Sequence, residues 1–352
     1  MQALTPEKLS ELLIDMAKRL GSSHVGINNK ETLKDSHFTT DLGYVLKGAN
    51  SAITFAVPFS EENLDEYIDK YLSKKDHKTF EKCKVRATTL ANGIALEIAS
   101  FLDQIGYGSK AVNSNYEYRK ENLKMVPPIS HKLLALRSGI GHIGYSSLII
   151  TKEYGSSVAF ATVVTTAELI PTKPLPAEEN YCNNCKLCSA CCLSNYRLNE
   201  EINGDIGGVK YTHAKTDDPA RCIHVCGGFS GHGGKKWSTW SPARFEIPKD
   251  NNELINVMHN KAIPKHVMRS KIAGFEGGFY HPRMPGFKME YTCSLCQVIC
   301  HKDPEVRKER YRKLVNSGVI IEKNGKRMAV SAEEAKKWLD SLPEEKRKLY
   351  TE

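Results

Sequence analysis

No stretch of this 352-residue chain approaches the roughly 20 consecutive apolar residues that a membrane helix needs, so no membrane partner is expected. The opening, MQALTPEKLSELLIDMAKRL, lacks the apolar core of a secretory signal; its apolar residues recur at helical spacing instead. No twin-arginine pair stands near the start, and there is no internal repeat or low-complexity tract. A cytoplasmic protein is the expectation, and there thiols stay reduced, which disfavours disulfides.

Against those absences stand eleven cysteines, most of them in two runs. Cys182, Cys185, Cys188 and Cys192 read CxxCxxCxxxC; Cys293, Cys296 and Cys300 read CxxCxxxC, with Cys222 upstream. This is the spacing of a fold that wraps two 4Fe–4S clusters, in which the fourth cysteine of each run ligates the other cube. Cys182, Cys185, Cys188 and Cys300 are therefore assigned to one cube, and Cys192, Cys222, Cys293 and Cys296 to the other. Zinc prefers paired CxxC knuckles with four ligands per ion and fits the pattern poorly. The proline that normally follows the fourth cysteine is missing, with Leu193 and His301 in its place; proline shapes that turn but ligates nothing. Cys83 reads as a lone buried thiol. Cys191 and Cys226 are substitutes in waiting for Cys192 and Cys222.

The net charge of +9 is offset by any bound anionic clusters. The excess Lys and Arg gather in KDPEVRKERYRK and EEKRK, which read as a solvated helix face rather than a nucleic-acid surface. Thr5-Pro6 opens a helix that Gly21 ends. SAITFAV at 51–57 reads as a buried strand, the apolar spacing from Ala87 to Ile105 as a long helix, His131–Arg137 as another helix, and Leu148–Ile150 and Val158–Val164 as strands. Pro171, Pro174 and Pro176 mark a linker. Beyond the cysteines, Asp303-Pro304 opens a helix, Asn324-Gly325 turns a hairpin and Ser331 with Glu334 forms a capping box. The glycine-rich tract CGGFSGHGGKKW at 226–237 reads as a loop in which His224 and His232 are more simply solvated than metal-bound.

Gly139, Gly141 and Gly144 form a GxGxxG, but a helix precedes it and a strand follows, the reverse of a dinucleotide fingerprint. Its glycines are expected to bring the backbone close to some other large ligand.

The segment SHKLLALRSGIGHIGYSSLIITKEYGSSVAFATVVTT, followed by the cysteine run, resembles the epoxyqueuosine reductase and reductive dehalogenase superfamily in type, order and spacing. DPARCIHV and YTCSLCQVIC extend the resemblance, which covers about residues 50–301. It implies an α/β (α+β) protein: a nitroreductase-like cobalamin-binding domain over 1–170, a ferredoxin-like domain with two 4Fe–4S clusters and a Gly-rich insertion over 171–301, and a helical extension over 302–352. It also implies base-off cobalamin, with no DxHxxG motif present, and a low-potential electron donor such as ferredoxin or flavodoxin. Gly139, Gly141, Gly144, Tyr145, Ser146, Ser147 and Thr165 occupy the positions that the resemblance gives to corrin binding; Thr166 replaces the acid of the family's Thr-Asp pair. Met125 stands where epoxyqueuosine reductases place a proton-donating Asp, so His131, Tyr116 and Tyr118 become the candidate donors, His131 first. The resemblance thus implies a cobalamin-dependent reductase of a small substrate; the departure at Met125 and the solvated charge run make nucleic acid an unlikely partner. The rival reading is an electron-transfer protein or corrinoid reductase without its own small substrate. A zinc-stabilised nucleic-acid binder is a third class, which iron and sulfide analysis would remove.

Overall fold

A computed structural model describes residues 4–71, 78–121, 125–272, 279–282 and 284–351. The fold mixes helices and sheet. Four strands, His24–Asn29, Ser51–Pro58, Val158–Thr165 and Ser109–Asn113, lie side by side in that order, each neighbour antiparallel. The two central strands are apolar along almost their whole length because both faces are covered. Ile53, Phe55 and Val57 face the helices Pro6–Arg19 and Lys78–Gln104; Ala52 and Ala56 face the helix His131–Arg137. Thr5 caps the first helix through Lys8 N–H, and Gly21 beyond it takes φ +110°.

The cysteine region is continuous with this layer. Cys191, Leu193, Val225, Trp237, Trp240, Leu295, Val298 and Ile299 belong to the same buried cluster as Phe55 and Ile98. The proline segment that reads as a linker is held at several points. Thr172 Oγ1 donates to Ser138 O at 2.6 Å and accepts from Ile27 N–H at 3.0 Å, and Pro176 O lies 2.9 Å from His142 Nε2.

A hairpin of Arg197–Ile206 and Val209–Thr216, turned by Gly207 and Gly208 at positive φ, docks on the GxGxxG segment through Ala214 N–H to Tyr145 O. The sequence reading missed it, although Gly207-Gly208 between alternating residues is a hairpin signal. In the tail, the helix Pro304–Val315, the Asn324-Gly325 hairpin and the Ser331–Glu334 capping box are all present. No described helix is long and apolar enough to cross a membrane.

Candidate metal centre

The CxxCxxC segment has no regular structure until Leu187, and its path is set by left-handed residues. Asn184 and Lys186 take φ 55° and 57°, so the backbone curls around a pocket instead of running past it. Cys182, Cys185, Cys188 and Cys300 line that pocket with Tyr145, Ser146, Ile299 and Arg307. The pocket is partly open to solvent. The fourth thiol therefore arrives from the other cysteine run. Burial pushes the Cys188 thiol up to about 11 and the Cys300 thiol up to about 12. Such groups become thiolates when a metal supplies the charge.

The second group forms where Cys293–Cys296, opened by Ser294 at φ 103°, meets the helix Pro219–Cys226. Cys192, Cys222, Cys293 and Cys296 lie within electrostatic reach of one another. Cys191 and Cys226 adjoin them. The Cys191 thiol is fully buried and donates to Cys188 O at 3.3 Å. Cys226 is hydrogen-bonded to Cys222, which with nearby Lys84 holds it below the ordinary thiol range and Cys222 above it. Tyr67 donates to Cys293 O at 2.7 Å, and Lys84 to Ser294 Oγ at 2.7 Å. Cys83 stands apart, half-buried, its sulfur accepting from Ser60 N–H.

Two buried arginines serve these groups. Arg307 is fully buried and bonds Asn183 Oδ1 at 2.8 Å, Lys302 O at 3.0 Å, and the carbonyls of Tyr181 and His301. It thereby clamps the start of one cysteine run to the end of the other. Arg310 turns inward too, onto Val298 O. The charge run expected to be a solvated face is thus half solvated and half a wall of the site: one helical face carries Arg307, Arg310 and Leu314 inward. Arg197 donates twice to Ser146 O, at 3.0 and 2.8 Å. Neither Arg197 nor Arg307 has a carboxylate within ion-pairing distance among the described residues. A buried cation needs a countercharge, and thiolates around an iron–sulfur cube supply one. The thiols of the first pocket suit such a cluster, and those of the second group lie within electrostatic reach of one another. Among the described residues no three His, Cys, Asp or Glu side chains converge as for a single metal ion.

The residues carried over for a corrin fit it less well. Gly139 takes φ +79° and a Cβ there would overlap Lys173 O; one at Gly141 would lie 2.5 Å from Ile150 O; one at Gly144 would lie 2.5 Å from Ile150 Cδ1. The close approach expected toward a ligand is made to the chain's own backbone and side chains. Tyr145 is buried with its N–H on Cys182 Sγ at 3.2 Å, and Ser146 Oγ accepts from Leu148 N–H. Ser147 is a left-handed turn residue at φ 56°. Thr165 is fully buried, its hydroxyl donating to Gly108 O. These groups build a floor for the first thiol pocket, in which the Tyr145 hydroxyl is buried without a hydrogen-bond partner among the described residues. Gly155 of the EYG motif works the same way: at φ +55°, its missing side chain lets Cys300 O and His301 pass.

The three candidate proton donors are not brought together. His131, capped by Ser130, faces the sheet, with Nδ1 2.7 Å from Thr162 Oγ1, itself 2.9 Å from Thr54 Oγ1. Burial lowers it to about 4, so it is neutral at pH 7. Tyr116 is 63% exposed. Tyr118 pairs with His281, hydroxyl to Nε2 at 3.1 Å with the rings stacked at 5.8 Å; no sequence spacing announces that pair. Met125 takes φ 56°. His224 is wholly buried in the helix Pro219–Cys226, bonded to Glu246 O and lowered to about 4 by burial, rather than solvated in a loop; His232 bonds Lys235 O. Part of the segment expected to shape a substrate side, residues 273–278 and 283, lies outside the described residues.

No family model matches the chain. Over 65 residues it is 38% identical to epoxyqueuosine reductase from Gloeobacter violaceus, and equally so to that from Atelocyanobacterium thalassa. Over this segment the chain is similar to epoxyqueuosine reductases. The match covers 18% of the chain and spans about a fifth of these curated relatives, 19% and 20%. Among solved structures, a catabolic reductive dehalogenase in complex with 3-bromo-4-hydroxybenzoic acid superposes at TM-score 0.49 and 13% identity, covering 99% of this chain and 38% of that one. Epoxyqueuosine reductase from Streptococcus thermophilus superposes at TM-score 0.37 and 17% identity over 56% and 55%.

Proposed function

We propose that the chain is an iron–sulfur redox protein that takes single electrons from a low-potential donor such as ferredoxin or flavodoxin and carries them through two 4Fe–4S clusters. One observation carries the reading: Cys300 of the second run closes the pocket of Cys182, Cys185 and Cys188, while Cys192 of the first run sits with Cys293 and Cys296. That exchange of fourth ligands is the arrangement of a two-cluster ferredoxin. The clusters supply one-electron storage at low potential. The chain's own residues fix their separation, leave Cys185 the one exposed thiol of the eight, and surround them with Arg307, Arg197 and backbone N–H groups. Cys185 marks the side at which a donor docks. The inward turn of Arg307 and Arg310 removes charge from the surface that a nucleic acid would read.

A second reading, reduction of a small substrate at base-off cobalamin, is favoured by the 65-residue relation to epoxyqueuosine reductases. No step is derived through a corrin, because Gly139, Gly141, Gly144 and Thr165 are spent on internal packing. The division at about 170 and 301 is retained as a partition of roles, sheet layer, cluster region and tail.

Anaerobic purification followed by iron, sulfide and cobalt analysis tests both. About eight iron per chain is expected, from two four-iron cubes. Eight iron with no cobalt, after incubation with cobalamin, selects the electron carrier; one cobalt with a base-off Co(II) EPR signal selects the corrin reductase. A colourless protein without iron overturns both.

A further inference from the structure

Arg197 belongs to neither cysteine run, yet it lies within electrostatic reach of thiols from both groups. It starts the strand Arg197–Ile206 and is 9% exposed, a fixed cation in the interior. Its guanidinium is anchored by two hydrogen bonds to one carbonyl, that of Ser146, which lines the first pocket. That carbonyl removes none of its charge. The sulfurs within its electrostatic reach come from both groups: Cys188 from the first, and Cys192, Cys222 and Cys296 from the second. Arg307, by contrast, touches the first group alone, through Cys185 and the neighbourhood of Cys300.

We infer that Arg197 is a shared electrostatic positioning residue that raises the reduction potential of both clusters together. The inference rests on the two-cluster reading above. Adding an electron to a cube makes an anion more negative. A nearby buried cation stabilises that added charge, and low polarizability around it magnifies the effect. One cation within reach of two cubes does this for both, keeping their potentials close so that an electron moves between them with little driving force lost.

The test is the full chain with Arg197→Gln and Arg197→Lys, purified without oxygen, analysed for iron and titrated electrochemically with EPR detection. In Arg197→Gln both midpoint potentials are expected to fall, each by at least a tenfold change in reduction equilibrium, about 59 mV for a one-electron couple. Arg197→Lys, which keeps the charge but not the fork, should recover most of both shifts. If Arg197→Gln loses iron while Arg197→Lys keeps it, charge is again the decisive property. Unchanged potentials in an iron-replete Arg197→Gln, a shift at one cluster only, or loss of iron in both variants overturns the inference. Wild-type protein without iron defeats the two-cluster reading itself, a result distinct from the others.

Discussion

The two thiol groups are built by different means. The first is held by irregular backbone: Asn184 and Lys186 in left-handed conformations, Gly144 and Gly155 where chains cross without room for a Cβ, and Arg307 bonding two stretches of loop, 181–183 and 301–302. One of its thiols, Cys185, is exposed. The second is walled by helices, Pro219–Cys226, Leu295–Ile299 and the start of Lys78–Gln104, and none of its four thiols is exposed. It also has Cys191 and Cys226 beside it. Loop walls give access and depend on single residues; helix walls give redundancy and shelter. The first group is thus suited to meeting a partner, and the second to holding charge inside.

The sharpest way to break this comparison is to remove ligands singly. Cys188→Ala and Cys300→Ala should abolish the same EPR signal and about four irons. Cys192→Ala and Cys296→Ala should abolish the other signal. If Cys192→Ala and Cys188→Ala erase one and the same signal, the crosswise pairing is wrong. Gly155→Ala comes next. A Cβ at φ +55° against Cys300 O combines backbone strain with overpacking, about 3 kcal/mol in sum. Loss of the first cluster with retention of the second is the expected spectrum.

Acid probes the layer beneath the first group, because the helix beginning at His131 leads into the glycine segment that floors it. His131 titrates at about 4 in the fold against an ordinary 6.5. The unfolded chain therefore binds a proton that the native chain refuses. The stability tied to neutral His131 is whole above pH 6.5 and is lost as pH falls from 6.5 to 4, by about 3 kcal/mol at most. His131→Gln should flatten that part of the stability-versus-pH curve measured by denaturant titration. The smallest effect is expected at Tyr67→Phe, which removes one neutral hydrogen bond to Cys293 O, about 1 kcal/mol. It should lower the thermal persistence of the second signal and leave the first unchanged.

Much of this was legible in order along the chain. The strand at Ser51–Pro58, the helix His131–Arg137, the Asn324-Gly325 hairpin and the Ser331–Glu334 box follow from local periodicity and capping chemistry. The cysteine spacing marked which thiols belong to the two runs, and the crosswise partition expected from it is what the single-ligand replacements check. What misled was the glycine segment, where the residue type says that something comes close without saying what. Lys173, Ile150 and Cys182 fill the space expected for a ligand. The setting of His131 was not legible either, since a histidine before a glycine motif carries no mark of which way it faces.

By itself, then, the order of residues determined the local elements and which sulfurs are spaced to hold metal, because capping, periodicity and loop reach act over a few residues. Only the tertiary structure decided that Cys300 joins Cys182, that Arg307 and Arg197 are buried without a carboxylate beside them among the described residues, and that the glycines admit the chain itself. Those outcomes depend on which distant segments share a volume. Close packing settles that for the whole core at once, and no window of sequence contains it.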